Sequence, residues 1–238
     1  MIGTVRLLIA LCVFSMVASA QDDPLAWFPL QVGSHWVYEH EAKSGNRNRP
    51  DVDRWTTEET ITGWVTIPEG LVVLRAVKEL GSTPQRTVKV IKPDGQLGFV
   101  QEPNYNRGLN RPPAPYLVRE NCVYLIRGGW DSQTQQLLPQ YRKYLMEATV
   151  SPDFCFPLRM GEEWGNVKYD TPWRVEPARN NVESFLPPEY AGAIHIVSDH
   201  FGSGGLEDVW FQKGIGVVGE HYIHSGTYEE HTTKLVSH

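Results

Sequence analysis

The stretch Phe28-Pro29-Leu30-Gln31-Val32-Gly33-Ser34-His35-Trp36 returns 128 residues later as Phe156-Pro157-Leu158-Arg159-Met160-Gly161-Glu162-Glu163-Trp164. Phe, Pro, Leu, Gly and Trp keep the same spacing in both copies. Proline fixes its own φ and pushes the residue before it into an extended conformation, which suits a chain entering a sheet from its edge. The glycine after two variable residues suits a tight turn needing positive φ. Trp then opens a strand: Trp36, Tyr38 and His40 alternate with Val37, Glu39 and Glu41, a period of two that places the aromatics on one face. After Trp164 the run Gly165-Asn166-Val167 is a poorer strand pattern. The repeat predicts an all-β, predominantly antiparallel fold, an internally duplicated curved sheet closing as a half-barrel or a sandwich. It also predicts a pseudo-twofold in which Trp36 and Trp164 occupy matching buried sites.

The doubled motif and the later Val209-Trp210-Phe211-Gln212-Lys213-Gly214-Ile215-Gly216-Val217-Val218 together resemble a group of uncharacterised bacterial secreted proteins and lipoproteins. In that group each motif is followed by a Pro/Gly turn into a strand. The counterparts here are Ile67-Pro68-Glu69-Gly70 and Pro188-Glu189-Tyr190-Ala191-Gly192. The chain departs from the group in lacking a lipidation cysteine at its mature start and in its long polar and proline-rich insertions. The resemblance implies no assigned chemistry.

Arg6, the apolar run Leu7 to Val17 and Ala18-Ser19-Ala20 read as a signal peptide over residues 1–20. The remainder, 21–238, is expected in the periplasm or outside the cell as one domain of two related halves, about 27–118 and 156–238. No later segment has the twenty or so consecutive apolar residues of a membrane span. The formal net charge of −6 disfavours nucleic acid as a partner. Beyond the signal peptide only Cys122 and Cys155 remain, and in an oxidising compartment they read as one disulfide of structural purpose.

Strand signals run over Trp55 to Val65, Leu71 to Val77, Arg86 to Ile91, Leu97 to Val100 and Val118 to Arg127, with a turn at Lys92-Pro93-Asp94-Gly95. Asp208 to His224, a Ser225-Gly226 turn and Thr227 to Val236 form a closing hairpin. Lys43 to Asp53 and Glu102 to Pro115 read as long surface loops. Gln133 to Ala148 is the single helix candidate, with Pro139 in its first turn, and a strand over Tyr141 to Val150 fits nearly as well.

No nucleophile elbow, zincin, P-loop or dinucleotide motif is present, and no cofactor is expected. Ser198, Asp199, His200 and Ser203 are close in sequence, yet neighbours on a strand face opposite ways and do not make a triad. His195 could meet His221 or His231 across paired strands, but solvated histidines are the commoner outcome and no metal site is assigned. Eight Trp are many for this length. Trp36, Trp164 and Trp210 belong to the motifs and the core, whereas Trp27, Trp130 and Trp173 neighbour loop residues and are candidates either for stacking on a ligand or for capping the open ends of the sheet. The sequence therefore favours a non-catalytic binding protein for an apolar small molecule, a glycan or an envelope protein. A hydrolase with carboxylates or histidines from both halves, and a structural interaction domain, are the alternatives.

Overall fold

A computed structural model describes residues 23–81, 85–91, 96–103, 113–165, 172–177, 186–200, 204–224, 226 and 228–238, without the side chains of 85–91, 97–103 and 200. The signal segment 1–20, the Lys92–Gly95 turn, most of the Glu102–Pro115 segment and Ser203 lie outside the described residues.

The strands are β1 (His35–Asn46), β2 (Arg49–Ile67), β3 (Gly70–Leu80), β4 (Gln85–Ile91), β5 (Leu97–Pro103), β6 (Tyr116–Arg119), β7 (Cys122–Leu125), β8 (Trp130–Asp131) and β9 (Gln136–Leu137). They continue as β10 (Phe154–Cys155), β11 (Glu163–Trp164), β12 (Trp173–Glu176), β13 (Ile194–His200), β14 (Gly205–Gln212), β15 (Gly216–His224) and β16 (Glu229–Ser237). Twelve of them form one antiparallel sheet in the order β10-β7-β6-β3-β2-β1-β16-β15-β14-β13-β12-β11. Two six-strand meanders thus meet at the β1–β16 pair. The sheet curls until its two ends nearly close, with the Trp164 indole of β11 donating to the Asp153 carbonyl beside β10 at 3.3 Å. Among the described residues the fold is all-β, with one short helix, Pro139–Met146, and a single helical turn at Pro24–Trp27.

The aromatic core follows from the repeated motif. Phe28 packs edge-on against Tyr116, Phe154 and Phe211, while Phe156 meets Phe154 and Phe211. Trp27 stacks on Phe156 at 5.6 Å, so the two motif copies touch. Gly216 is required here, since a Cβ on it would lie 2.6 Å from the Phe28 ring. In the first copy Gly33 N–H bonds Ile61 O, Ser34 N–H bonds Gln31 O, and Ile61 N–H bonds Ser34 O. The second copy makes the same three bonds from Gly161 to Val175, Glu162 to Arg159 and Val175 to Glu162. Gly33 and Gly161 both hold positive φ, at 93° and 79°. Burial differs between the copies: Trp36 is 2 % exposed and donates to Ile215 O at 2.7 Å, whereas Trp164 is only partly buried. Matching depth for the two tryptophans does not hold, because Trp36 lies mid-sheet and Trp164 on an end strand.

Cys122 and Cys155 are register partners on β7 and β10 and form a disulfide with Cα atoms 4.1 Å apart. Directly opposed positions of an antiparallel pair place both side chains on one face of the sheet. The helix reading of 133–148 is the one realised, opening at Pro139, where a missing N–H costs nothing. Three sequence readings are corrected. Lys43 to Asp53 is no loop: β1 and β2 run on to a two-residue turn, where Asn46 Oδ1 accepts from Asn48 N at 2.9 Å and supplies the turn. Val118 to Arg127 is a hairpin rather than one strand, turning at Glu120, whose φ is 55°. Asp208 to His224 is two strands divided at Gly214, whose φ is 80°.

Candidate functional site

The pleat sorts side chains between the inside of the curled sheet and its outside. On β2, Thr57, Glu59 and Ile61 share the inward phase. Ile61 is buried in the core, and Glu59 is carried inward with it. Glu59 is answered by Arg75 of β3: Arg75 Nη1 lies 2.7 Å from Glu59 Oε2 and 2.9 Å from Tyr116 Oη. Arg75 Nε donates to Ala114 O at 2.7 Å, and its guanidinium sits 4.7 Å over the Tyr116 ring. Tyr38 donates to Val217 O at 3.1 Å, and burial pushes its hydroxyl well above the ordinary tyrosine value.

Glu220 of β15 pairs in register with Val209, a core residue, and so points to the same interior. Burial, followed by the charges of Glu207 and Glu59, pushes its carboxyl up to about 7. Glu207 of β14 and Trp173 of β12 flank Ser198 in register, one on either side. The Ser198 hydroxyl is fully buried and has no hydrogen-bond partner among the described residues.

Where the sheet ends approach, a cavity of about 390 Å³ is lined by Glu207, Trp173, Asp153, Arg127 and Tyr141, with Leu125 and residues 149–152 completing its wall. Asp153 Oδ2 accepts from Leu125 N at 2.6 Å, and its Oδ1 lies 4.0 Å from the exposed Arg127 guanidinium. Burial pushes the Asp153 carboxyl upward. The helix supplies Tyr141, which is 9 % exposed and whose hydroxyl has no hydrogen-bond partner among the described residues. Tyr141 is held from behind by Gly129, where a Cβ would lie 2.2 Å from its ring. A larger hollow of about 650 Å³ shares the wall 150–152 but among the described residues carries no buried charged group.

A second polar chain runs along the outer face. His195 Nε2 lies 2.7 Å from Asp208 Oδ1, and both residues are almost wholly buried. His221 Nδ1 is 3.8 Å from Asp208 Oδ2, and its Nε2 is 3.3 Å from Glu230 Oε1. Lys43, Glu41 and Arg54 continue the chain across β1 and β2. The Asp208 contact and then Glu230, against partial burial, hold His221 above the ordinary histidine value.

The three tryptophans offered as a stacking surface do not meet. Trp27 is buried on Phe156 beneath the Lys213 ammonium, and Trp130 packs on a second core cluster with Leu137 and Tyr141; neither lines the cavity. Trp173 alone faces it. Trp210 is buried and stacks on His195 at 5.1 Å. His195 and His221 converge on Asp208, while His231 pairs in register with Tyr222 and lies 3.6 Å from Glu229. Among the described residues no group of three or more His, Cys, Asp or Glu is placed to hold a metal ion. Asp199 faces away from Ser198 and pairs with Arg174 at 2.8 Å, so these two do not converge, and the His200 side chain and Ser203 lie outside the described residues. Sequence reasoning missed Glu59, Arg75, Tyr116, Glu207, Glu220 and Asp153. A glutamate in the inward phase of an apolar strand, as in Thr57-x-Glu59-x-Ile61, is the one signal that could have found part of the set.

Among the described residues no helix is long and apolar enough to cross a membrane. No family model matches the chain, and no curated protein does. It is similar to a solved structure of a Bacteroides fragilis protein described as exported and of YmcC-like fold, with 8 % identity and a TM-score of 0.34 over 88 % of this chain and 96 % of that one. A likeness at that level carries no argument about function.

Proposed function

We propose that the chain is an exported, non-catalytic binding protein that seats a small hydroxyl-rich ligand of the cell envelope, a glycan unit, in the cavity where the sheet ends approach. One observation carries the reading: the cavity of about 390 Å³ sets the Trp173 ring among Tyr141, Asp153, Glu207 and Arg127. An aromatic face among hydrogen-bonding groups suits the alternating apolar and hydroxyl surfaces of a sugar ring better than it suits a purely apolar molecule. Export is supported by the leader pattern over residues 1–20 and by the Cys122–Cys155 bond, which fits an oxidising compartment. The three shared hydrogen bonds support descent of the two halves from one repeat.

The test is native mass spectrometry of protein purified from a periplasm, followed by extraction of whatever is bound. A retained saccharide, lost in Trp173→Ala, supports the reading; a retained lipid or an empty protein indifferent to added saccharides overturns it. A carboxylate hydrolase is the second reading, favoured by the upward-shifted Glu220 and Asp153. Turnover of an envelope glycan, abolished in Asp153→Asn, would establish that alternative.

A further inference from the structure

Resting on the glycan reading, we infer that the site takes an oligosaccharide of N-acetylated units, with the seam cavity and the neighbouring hollow of about 650 Å³ as successive subsites on either side of residues 150–152. Val150, Ser151 and Pro152 line both spaces. Three residues span about 10 Å, so one short chain molecule can reach from one space into the other. The saddle between them is pinned at both ends. Thr149 donates to Tyr144 O from its N–H at 2.9 Å and from its hydroxyl at 3.1 Å, and Asp153 N–H donates to Val123 O at 2.9 Å. A ligand therefore lies across a wall already in place. The seam cavity, at about 390 Å³, is near the low end of the roughly 300 to 1,000 Å³ of small-molecule sites, and the hollow extends it.

The side chains of the hollow set the class of sugar. Arg119 and Tyr124 belong to the β6–β7 hairpin, where Arg119 opposes Cys122 and Tyr124 opposes Leu117, so both share the outward phase of Leu117. The Cys122–Cys155 bond fastens that hairpin to β10, directly beyond the saddle. Burial pushes the Tyr124 hydroxyl upward and the Arg119 charge opposes that push, as neighbours in one hollow should. Tyr124 offers a ring on which a pyranose can stack. Met146, 72 % exposed and unbranched, joins Leu145 and Val150 in an apolar lining that adapts to a methyl group. Arg119 carries donors only and calls for an acceptor oxygen. An acetamide presents a methyl and a carbonyl acceptor side by side, whereas a plain hydroxyl lacks the first and an ammonium lacks both. Arg119 and Glu120 bring one charge of each sign to the lining, so among the described residues the hollow has no net charge to draw an ionic group.

The experiment is calorimetric titration of the mature, disulfide-intact protein with the two-unit and the four-unit β-linked oligomers of N-acetylglucosamine and, separately, with a four-unit glucose oligomer of the same linkage. The four-unit acetylated form is expected to bind roughly tenfold to a hundredfold more tightly than the two-unit form, as for one stacked ring and one hydrogen bond, and about tenfold more tightly than the glucose oligomer. Tyr124→Ala and Arg119→Ala should each remove most of the gain with length, while Trp173→Ala should weaken both lengths. Met146→Asp, at an exposed position, serves as the third hollow variant should either of the first two fail to fold. Equal affinity for the two lengths overturns the second subsite and leaves the glycan reading standing. A gain with length that survives in every hollow variant overturns its placement there. Equal binding of the glucose oligomer overturns the acetamide assignment. Binding of none of the three overturns the inference, and the glycan reading falls with it only if protein from a periplasm is also empty.

Discussion

Glu220→Gln isolates the cost of holding a carboxylate inside the curled sheet. The Glu220 carboxyl stands at about 7 against an ordinary 4.5, and burial is the main cause. The folded protein therefore binds a proton more tightly than the unfolded chain does. Below pH 4.5 the group is protonated in both states and costs nothing. As pH rises toward 7 the unfolded state ionises first, and wild-type stability falls. Above pH 7 the full penalty is present, about 3 kcal/mol for a shift of this size. Glutamine keeps the shape and carries no charge, so it escapes the penalty. Integrating the linkage relation, the variant should gain about 2.5 kcal/mol over wild type on going from pH 5 to pH 8. Urea unfolding at the two pH values measures this, because other titrating groups are common to both proteins and largely cancel. With a slope of about 2 to 3 kcal/mol/M for a chain of this size, the urea midpoints should separate by about 1 M more at pH 8 than at pH 5. A wild-type to variant difference equal at the two pH values would refute the placement of Glu220 in a desolvated interior.

Trp36→Ala should cost about 3 to 5 kcal/mol, as for a fully buried Trp, and Trp164→Ala roughly half as much; equal losses by urea unfolding would refute the asymmetry of depth. Replacing Cys122 and Cys155 by Ser should lower stability by about 3 to 4 kcal/mol for a sequence separation of 33, and identical urea midpoints with and without reductant would contradict it. Arg75→Met leaves the Glu59 charge buried without its partner and should cost about 3 to 5 kcal/mol, most of it recovered in Arg75→Met/Glu59→Gln. A double variant no more stable than the single one would show that Arg75 acts through packing alone.

Much of the frame was legible because it is written locally. Period-two alternation marked β1, β2 and β3, the repeated Phe-Pro-Leu turn marked both sheet entries, and the two cysteines left after the leader pattern marked their own bond. Long polar runs misled at Lys43 to Asp53, where composition suggests a loop but cross-strand pairing of β1 with β2 continues to Asn46 and Arg49. Of the cavity wall, Trp173 of β12 was named from the sequence and the rest was not legible. The site residues come from β2, β3, β6, β7, β12, β14, β15, the helix and the segment before β10, so that no window of the chain contains more than a few of them. Curvature brings Glu220 and Arg75 into the same interior, and curvature is a property of twelve strands together. For Trp27, loop neighbours left both ligand stacking and burial open, and the helical turn Pro24–Trp27 folds its ring onto Phe156.

The arrangement also explains why the motif recurs where it does. Phe28, Phe156 and Phe211 come from three distant motif segments and fill the same core. Large interlocking aromatic rings bury extensive apolar surface at low entropic cost, fixing where each half of the sheet starts. With the starts fixed, the two short strands β10 and β11 need carry little of the stability, and the Cys122–Cys155 bond ties one of them to β7. Among the described residues β10 and β11 share no ladder, and the seam between them is joined by the Trp164 to Asp153 bond. An incompletely closed seam is what leaves room for a cavity lined by Asp153, Trp173 and Glu207. Closing it with a longer β10–β11 ladder would satisfy more backbone groups and remove the site.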